Sequence, residues 1–152
     1  GESYIPYVIE TSIGVDRMVL QVLSAGYQEE KLENGEERTV LSIPAPLAPV
    51  KAAVLPLVKK DGLPEIAHRI KNTLRYDYNI QYDEKDSIGK RYRRQDAIGT
   101  PLCITVDHQS AEDGTVTVRD RDTMRQERVN IEAIPALVES KAGMRALLDK
   151  LA

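Results

Sequence analysis

The chain has 152 residues, 41% hydrophobic and 30% charged, with seven Tyr and no Trp or Phe. That balance belongs to a folded domain, not a disordered segment, and the length suffices to bury a core without disulfides or metals. The formal net charge of −3 excludes a generic polyanion binder, and the single Cys103 excludes an internal disulfide or a Cys-rich zinc site.

The chain opens at Gly1-Glu2-Ser3 without an initiator Met and enters an apolar pattern at once, which reads as a piece of a longer protein. No charged-then-apolar opening suggests a secretory signal, and no apolar run reaches the roughly 20 residues of a membrane span. A reducing, cytoplasmic setting is the expectation. Residues 4–9 predict a short strand. A helix is expected next, with Thr11 or Ser12 as N-cap and Ile13, Val15, Met18, Val19, Val22 and Leu23 at helical spacing. Gly26 is its natural stop. Residues 28–39 are polar with a turn signal at Asn34-Gly35. Pro44, Pro46 and Pro49 then preclude a helix and set a domain boundary near 44–49.

Beyond the boundary, strand and helix patterns alternate. Residues 50–58 include the run Ala52-Ala53-Val54-Leu55, apolar on consecutive positions, as in a strand covered on both faces. A helix starts near Pro64 with Leu63, Ile66, Ala67, Ile70 and Leu74 inward. Tyr78, Ile80 and Tyr82 alternate as a second strand, and residues 88–98 predict a helix with Ile88, Tyr92 and Ile98 inward. Leu102, Ile104 and Val106 form a third strand. After a turn at Asp113-Gly114, Val116 and Val118 form a fourth, and residues 125–130 a fifth. Helices over 131–139 and 144–151 close the chain. The pattern predicts an α/β fold, a mixed five-stranded sheet flanked by helices, preceded by a strand–helix unit.

Self-contained enzyme signatures are missing: there is no phosphate loop, no G-x-G-x-x-G and no G-x-S-x-G elbow. His68 and His108 lie forty residues apart without ligand-spaced partners, and His68, on the polar face of its helix, reads as a surface histidine. Three groups carry chemistry. Glu10, Ser12, Gly14, Asp16 and Arg17 span a strand-to-helix junction, where a carboxylate, a hydroxyl, backbone N–H groups and a guanidinium suit a small polar ligand. An ordinary N-cap with a surface arginine is the competing reading. Lys90, Arg91, Arg93 and Arg94 put four cations in five positions, with Lys85 upstream, which suits phosphate contacts as well as it suits a solvated helix. Arg119-Asp120-Arg121-Asp122, continuing through Arg125 and Arg128, alternates in sign. Surface salt bridges explain such a run, and so does recognition of base edges.

Together these segments resemble the class II glycyl-tRNA synthetases of the dimeric type. Tyr4-Ile-Pro-Tyr-Val-Ile-Glu-Thr-Ser-Ile-Gly-Val-Asp-Arg17 resembles their motif 3, V-[IV]-E-P-S-x-G-x-x-R, with Thr11 in place of proline. Ala48-Pro-Val-Lys-Ala-Ala-Val-Leu-Pro-Leu57 is similar to their first anticodon-domain strand. Ser87-Ile-Gly-Lys-Arg-Tyr-Arg-Arg-Gln-Asp-Ala-Ile-Gly-Thr-Pro101 resembles G-[KR]-x-Y-x-R-x-D-x-I-G, and Thr117-Val-Arg-Asp-Arg-Asp-Thr-Met-Arg-Gln126 resembles T-[LV]-R-D-R-D-[ST]-M-x-Q.

The resemblance implies that residues 1–43 are the C-terminal remnant of a catalytic core and 44–152 an anticodon-binding domain. It implies a glycine-binding role for Glu10 and Ser12, and contact of Arg17 with ATP. The complete enzyme is expected to make glycyl-tRNA from glycine, ATP and tRNA, with Mg²⁺ at the phosphates, and to be a homodimer. Lacking motifs 1 and 2, this chain alone is expected to be inactive, to need no cofactor or metal, and to bind glycine tRNA. The residues expected to contact RNA are Lys90, Arg91, Arg93 and Arg94 for phosphates, and Arg119, Asp120, Arg121 and Arg125 for the anticodon bases. The alternatives are a prolyl, threonyl or histidyl synthetase sharing this domain, or a non-catalytic RNA-binding paralogue.

Overall fold

The computed structural model describes residues 1–32 and 35–149. Residues 1–14 carry no regular structure. The strand expected over 4–9 does not form. A lone strand has no neighbour to satisfy its backbone groups, and Tyr4, Ile5, Tyr7, Val8 and Ile9 are exposed. Helix α1 (Val15–Gly26) follows, with Gly14 rather than Thr11 or Ser12 at its N-cap. It ends at Gly26, as its sequence predicts. Gly26 is buried, and a Cβ there would sit 2.7 Å from Ile43 Cγ2, so only glycine lets the two segments approach.

Strands β1 (Tyr27–Lys31) and β2 (Glu37–Leu41) pair antiparallel, a hairpin in a segment that reads only as polar with a turn. Asn34 of the expected turn lies outside the described residues; Gly35 N–H donates to Leu32 O at 2.9 Å. In β2, Arg38 and Val40 turn inward, Glu37 and Thr39 stay exposed, and Leu41 is half-buried. The proline-rich connector holds a single 3-10 turn over Ala45–Leu47.

The main sheet contains β3 (Ala52–Pro56), β4 (Ile80–Tyr82), β5 (Leu102–Val106), β6 (Thr115–Asp120) and β7 (Gln126–Asn130), in the order β4-β3-β5-β6-β7. β3 runs parallel to β4 and β5, and β6 runs antiparallel to β5 and β7. The mixed five-stranded sheet is the expected one. The helices are α2 (Leu63–Leu74), α3 (Ile88–Ala97), α4 (His108–Asp113), α5 (Ile134–Ala142) and α6 (Met144–Leu148). Leu151, expected to end the last helix, lies outside the described residues.

The two sheet faces follow from strand alternation. Ala52, Val54, Leu102, Ile104, Val116 and Val118 face α2 and α5, which contribute Leu63, Ala67, Ile70, Leu74, Ile134 and Val138. Ala53, Leu55 and Cys103 face Ile88 and Tyr92 of α3. β3 is therefore buried on both faces, as its unbroken apolar run predicts. Burial pushes the Cys103 thiol up to about 12.

Two local expectations fail for physical reasons. Ile98, expected inward, is 40% exposed, while Arg91, Gln95 and Asp96 take the buried positions of α3 because each finds polar partners inside. Helix α4 is absent from the sequence reading because six residues are too few for a periodic signal. It is held by its cap: the Asp107 carboxylate accepts from Ser110 N–H at 3.1 Å, and the Ser110 hydroxyl accepts from Asp107 N–H at 3.0 Å.

The boundary drawn near 44–49 does not separate two bodies in space. Val40 and Ile43 are buried. Gly99, after α3, adopts φ +81°, and a Cβ there would meet Leu41 O at 2.9 Å. The chain end of β2 thus rests on the loop between α3 and β5.

Candidate nucleic-acid interface

Three of the arginines expected to reach RNA are buried inside the protein. Arg91 Nη1 donates to Pro56 O at 2.6 Å and Asp83 O at 3.3 Å, and its Nη2 donates to Leu57 O at 3.2 Å. It ties the C-terminal end of β3 to the segment after β4. Arg119 grips Asp96 with both Nη atoms, at 2.8 and 3.0 Å, and lies 4.9 Å over the Tyr92 ring. Arg121 donates to Gly99 O and Ile43 O, each at 2.8 Å, and to the Asp122 carboxylate at 2.7 Å. In this fold these three are framework residues. Their charge is legible in the sequence, but the direction of each side chain depends on partners such as Pro56 for Arg91, Asp96 for Arg119, and Gly99 and Ile43 for Arg121, which lie 22–78 residues away along the chain.

The cation cluster on α3 is similarly divided. Arg94 binds Asp83 at 2.7 Å and Asp86 at 2.9 Å, and Arg93 lies 3.6 Å from Glu36 and 3.7 Å from Asp96. Burial raises the Asp83 carboxyl, but the Lys85 N–H and the Arg94 guanidinium outweigh it and hold it below the usual range. Lys90 is exposed and has no ion pair among the described residues. Helical geometry explains the split: Lys90, Arg93 and Arg94 share the outward face, and Arg91 lies on the inward one.

At the end of β6 the chain turns through Arg121–Arg125, closed by Asp120 N–H donating to Arg125 O at 3.0 Å. The Asp120 carboxylate accepts from Asp122 N–H at 3.1 Å and from the N–H and hydroxyl of Thr123, both at 2.9 Å. Partial burial raises the Asp120 carboxyl; the Thr123 bonds and Lys141 outweigh it and keep it ionised. Asp120, Thr123, Arg125, Glu127 and Lys141 rim a cleft of about 210 Å³ whose apolar wall is Leu102, Val118 and Leu137. The Arg125 side chain is exposed and unpaired among the described residues. An apolar wall with carboxylates and cations at its edge suits a flat ring bearing polar groups. Lys141 and Glu127 were not marked from the sequence. Lys141 comes from α5, and no linear spacing joins it to the turn.

On the sheet face beside α3, the register sets Thr117 opposite Arg128 and Arg119 opposite Gln126. Arg128 donates to the hydroxyls of Thr115 and Thr117, at 2.6 and 3.1 Å, and to the Asp107 carboxylate at 2.9 Å. Thr117 is half-buried, and Gln126 and Asn130 are exposed, so this outer part of the sheet presents a polar face.

Glu10, Ser12 and Arg17 are exposed, and their side chains have no partner among the described residues. Among those residues, no His, Cys, Asp or Glu cluster suits a metal ion, and no helix is long and apolar enough to cross a membrane. Both histidines are exposed. His68 stacks on Tyr82 with ring centres 4.1 Å apart, and His108 lies 3.9 Å from Asp61.

The glycine–tRNA ligase of Borrelia hermsii (strain HS1 / DAH) is 52% identical to this chain over 141 residues, covering 93% of the chain and 32% of the relative. That of Geobacillus kaustophilus (strain HTA426) is 56% identical over 141 residues, with coverages of 93% and 30%. The chain thus spans about a third of the length of the curated relatives it matches. The RNA binding domain of threonyl-tRNA synthetase from Cryptosporidium parvum Iowa II aligns with a TM-score of 0.60 at 24% identity, covering 66% of this chain and 26% of that one. Prolyl-tRNA synthetase from Cryptosporidium parvum, complexed with L-proline and AMP, aligns with a TM-score of 0.60 at 20% identity, with coverages of 80% and 33%. At these identities the two structures establish the fold alone. The family described as "Anticodon binding domain" matches residues 51–141, more than half of the chain. The protein therefore belongs to the anticodon binding domain family.

Proposed function

We propose that this chain reads the anticodon region of glycine tRNA as part of a glycine–tRNA ligase. One observation carries the reading: Asp120 and Arg125, both singled out from the sequence, reach the same cleft with Lys141 beside them. Glycine codons begin with GG, so the anticodons end in two cytosines. A carboxylate accepts from the cytosine amino group, and a cation donates to its ring nitrogen and carbonyl. Asp120 takes the first role, Arg125 and Lys141 the second. Lys90, with the partly exposed Arg93 and Arg94, faces backbone phosphates. Arg91, Arg119 and Arg121 support the surface from within.

The identity to glycine–tRNA ligases favours glycine over proline, threonine or histidine as the amino acid. In the complete protein, residues 1–43 carry the end of a catalytic core. Glu10 and Ser12 meet glycine, and Arg17 meets the ATP triphosphate, whose charge Mg²⁺ helps neutralise. The complete enzyme works in the cytoplasm as a homodimer. This chain alone does not catalyse glycine-dependent ATP–pyrophosphate exchange, because three exposed residues do not enclose a substrate. The reading is tested by titrating the chain with a glycine tRNA transcript and with one whose last two anticodon letters are changed. A clear preference for the first is expected; equal binding refutes anticodon reading.

A further inference from the structure

We infer that Arg38 is a positioning residue for anticodon reading, acting through Asp96 and the main chain of Arg121. The inference rests on the reading proposed above. Arg38 lies on β2, outside the family match over 51–141. Its side chain is 1% exposed, so it cannot touch RNA itself. It nevertheless reaches the strand end that precedes the cleft. Nη2 donates to Arg121 O, and Nε lies 3.0 Å from Asp96 Oδ2. The same carboxylate anchors Arg119.

Arg121 is held from every side. Its N–H donates to Pro101 O at 3.0 Å, and its guanidinium holds Ile43 O and Gly99 O. The Arg38 bond captures the remaining main-chain group, the carbonyl. The next residue, Asp122, begins the exposed turn whose N–H groups Asp120 binds. Ser42, beside Ile43, also donates to Asp122 at 3.0 Å. The orientation of the turn is thus set by β2 and the connector after it, not only by β6 and β7.

Without Arg38 the Arg121 carbonyl loses its buried partner, and Asp96 loses one of its counter-charges. Both changes act on the chain just before the turn that carries Arg125. A lysine at position 38 restores charge near Asp96 but lacks the fork needed to span the carboxylate and the carbonyl together. A purely structural Arg38 would give variants that melt earlier yet discriminate tRNAs as before.

The test uses this chain, Arg38→Lys and Arg38→Met, each assayed well below its melting temperature. Binding is measured to a glycine tRNA transcript and to the transcript with altered anticodon. Amide exchange is followed at Asp122 and Thr123. In the Lys variant the preference for glycine tRNA is expected to fall at least fivefold, affinity for the altered transcript to stay within twofold, and the two amides to exchange faster. The Met variant, where folded, shows the same or a larger loss. Should Arg38→Lys fold and keep the wild-type preference, the positioning role is overturned while the anticodon reading stands. Should the wild-type chain itself show no preference, the reading falls and the inference with it.

Discussion

The Arg119 guanidinium closes on both oxygens of Asp96, at 2.8 and 3.0 Å, and the Arg38 Nε reaches the same carboxylate at 3.0 Å. Asp96 is fully buried, with Arg38 and Arg119 almost so. Removing one member of such a group leaves buried charge without compensation. Asp96→Ala is expected to lower unfolding free energy by roughly 3–5 kcal/mol, read from denaturant midpoints. A loss below about 1 kcal/mol, the range of an exposed pair, would show that the group contributes as a surface bridge does.

Lys90 and Arg125 are both exposed cations, but they sit on different parts of the surface, and the proposal gives them different work. Lys90→Ala is expected to weaken all tRNAs alike and to reduce the salt slope of binding by about one unit. Arg125→Ala is expected to cost on the order of 1–3 kcal/mol with glycine tRNA and little with an altered anticodon. Salt titrations on both transcripts check this; identical behaviour of the two variants would remove the distinction between phosphate and base contacts.

Asp107 joins the cap of α4 to Arg128. The Arg128 bond, outweighing partial burial and helped by Ser110, holds the Asp107 carboxyl below its usual value. A carboxylate whose folded value is depressed stabilises the protein fully above its unfolded value of about 3.9, and that contribution is lost as pH falls through the folded value. Asp107→Asn keeps a good N-cap but removes the charge and one of the two oxygens that Arg128 grips. It is expected to cost on the order of 1 kcal/mol at neutral pH, and to flatten the loss of stability below about pH 4. A pH series of melting curves decides; parallel wild-type and variant curves would count against it.

Two truncations separate the exposed and integrated parts of the first 43 residues. Residues 1–25 are almost wholly exposed, so their removal is expected to change the unfolding free energy by less than about 1 kcal/mol. Removing 1–43 also strips away the buried Arg38, Val40 and Ile43. The two apolar side chains alone represent roughly 3–6 kcal/mol of burial. Calorimetry on the two shortened chains should therefore find one stable and the other severely weakened. Equal stabilities would mean that β2 is dispensable.

The alternating apolar pattern determined the five-strand sheet, because burial on one face or two leaves a period that can be read locally. β3, apolar throughout, and β6, with Val116 and Val118 inward, are the clearest cases. The strand end at Asp120 was equally legible, because it closes the Val116–Val118 alternation; Arg125, which the sequence places at the start of the fifth strand, instead ends the turn before β7. What only the tertiary structure decided is which charges face water. Arg91, Arg119 and Arg121 read as surface cations in a charged run, yet each is buried by carbonyls or a carboxylate brought from distant segments. The polar hairpin β1–β2 likewise gains its inward Arg38 and Val40 from contact with α3 and the end of β6. A linear pattern records how hydrophobic a position is, but the partner that makes a buried charge tolerable is supplied by folding.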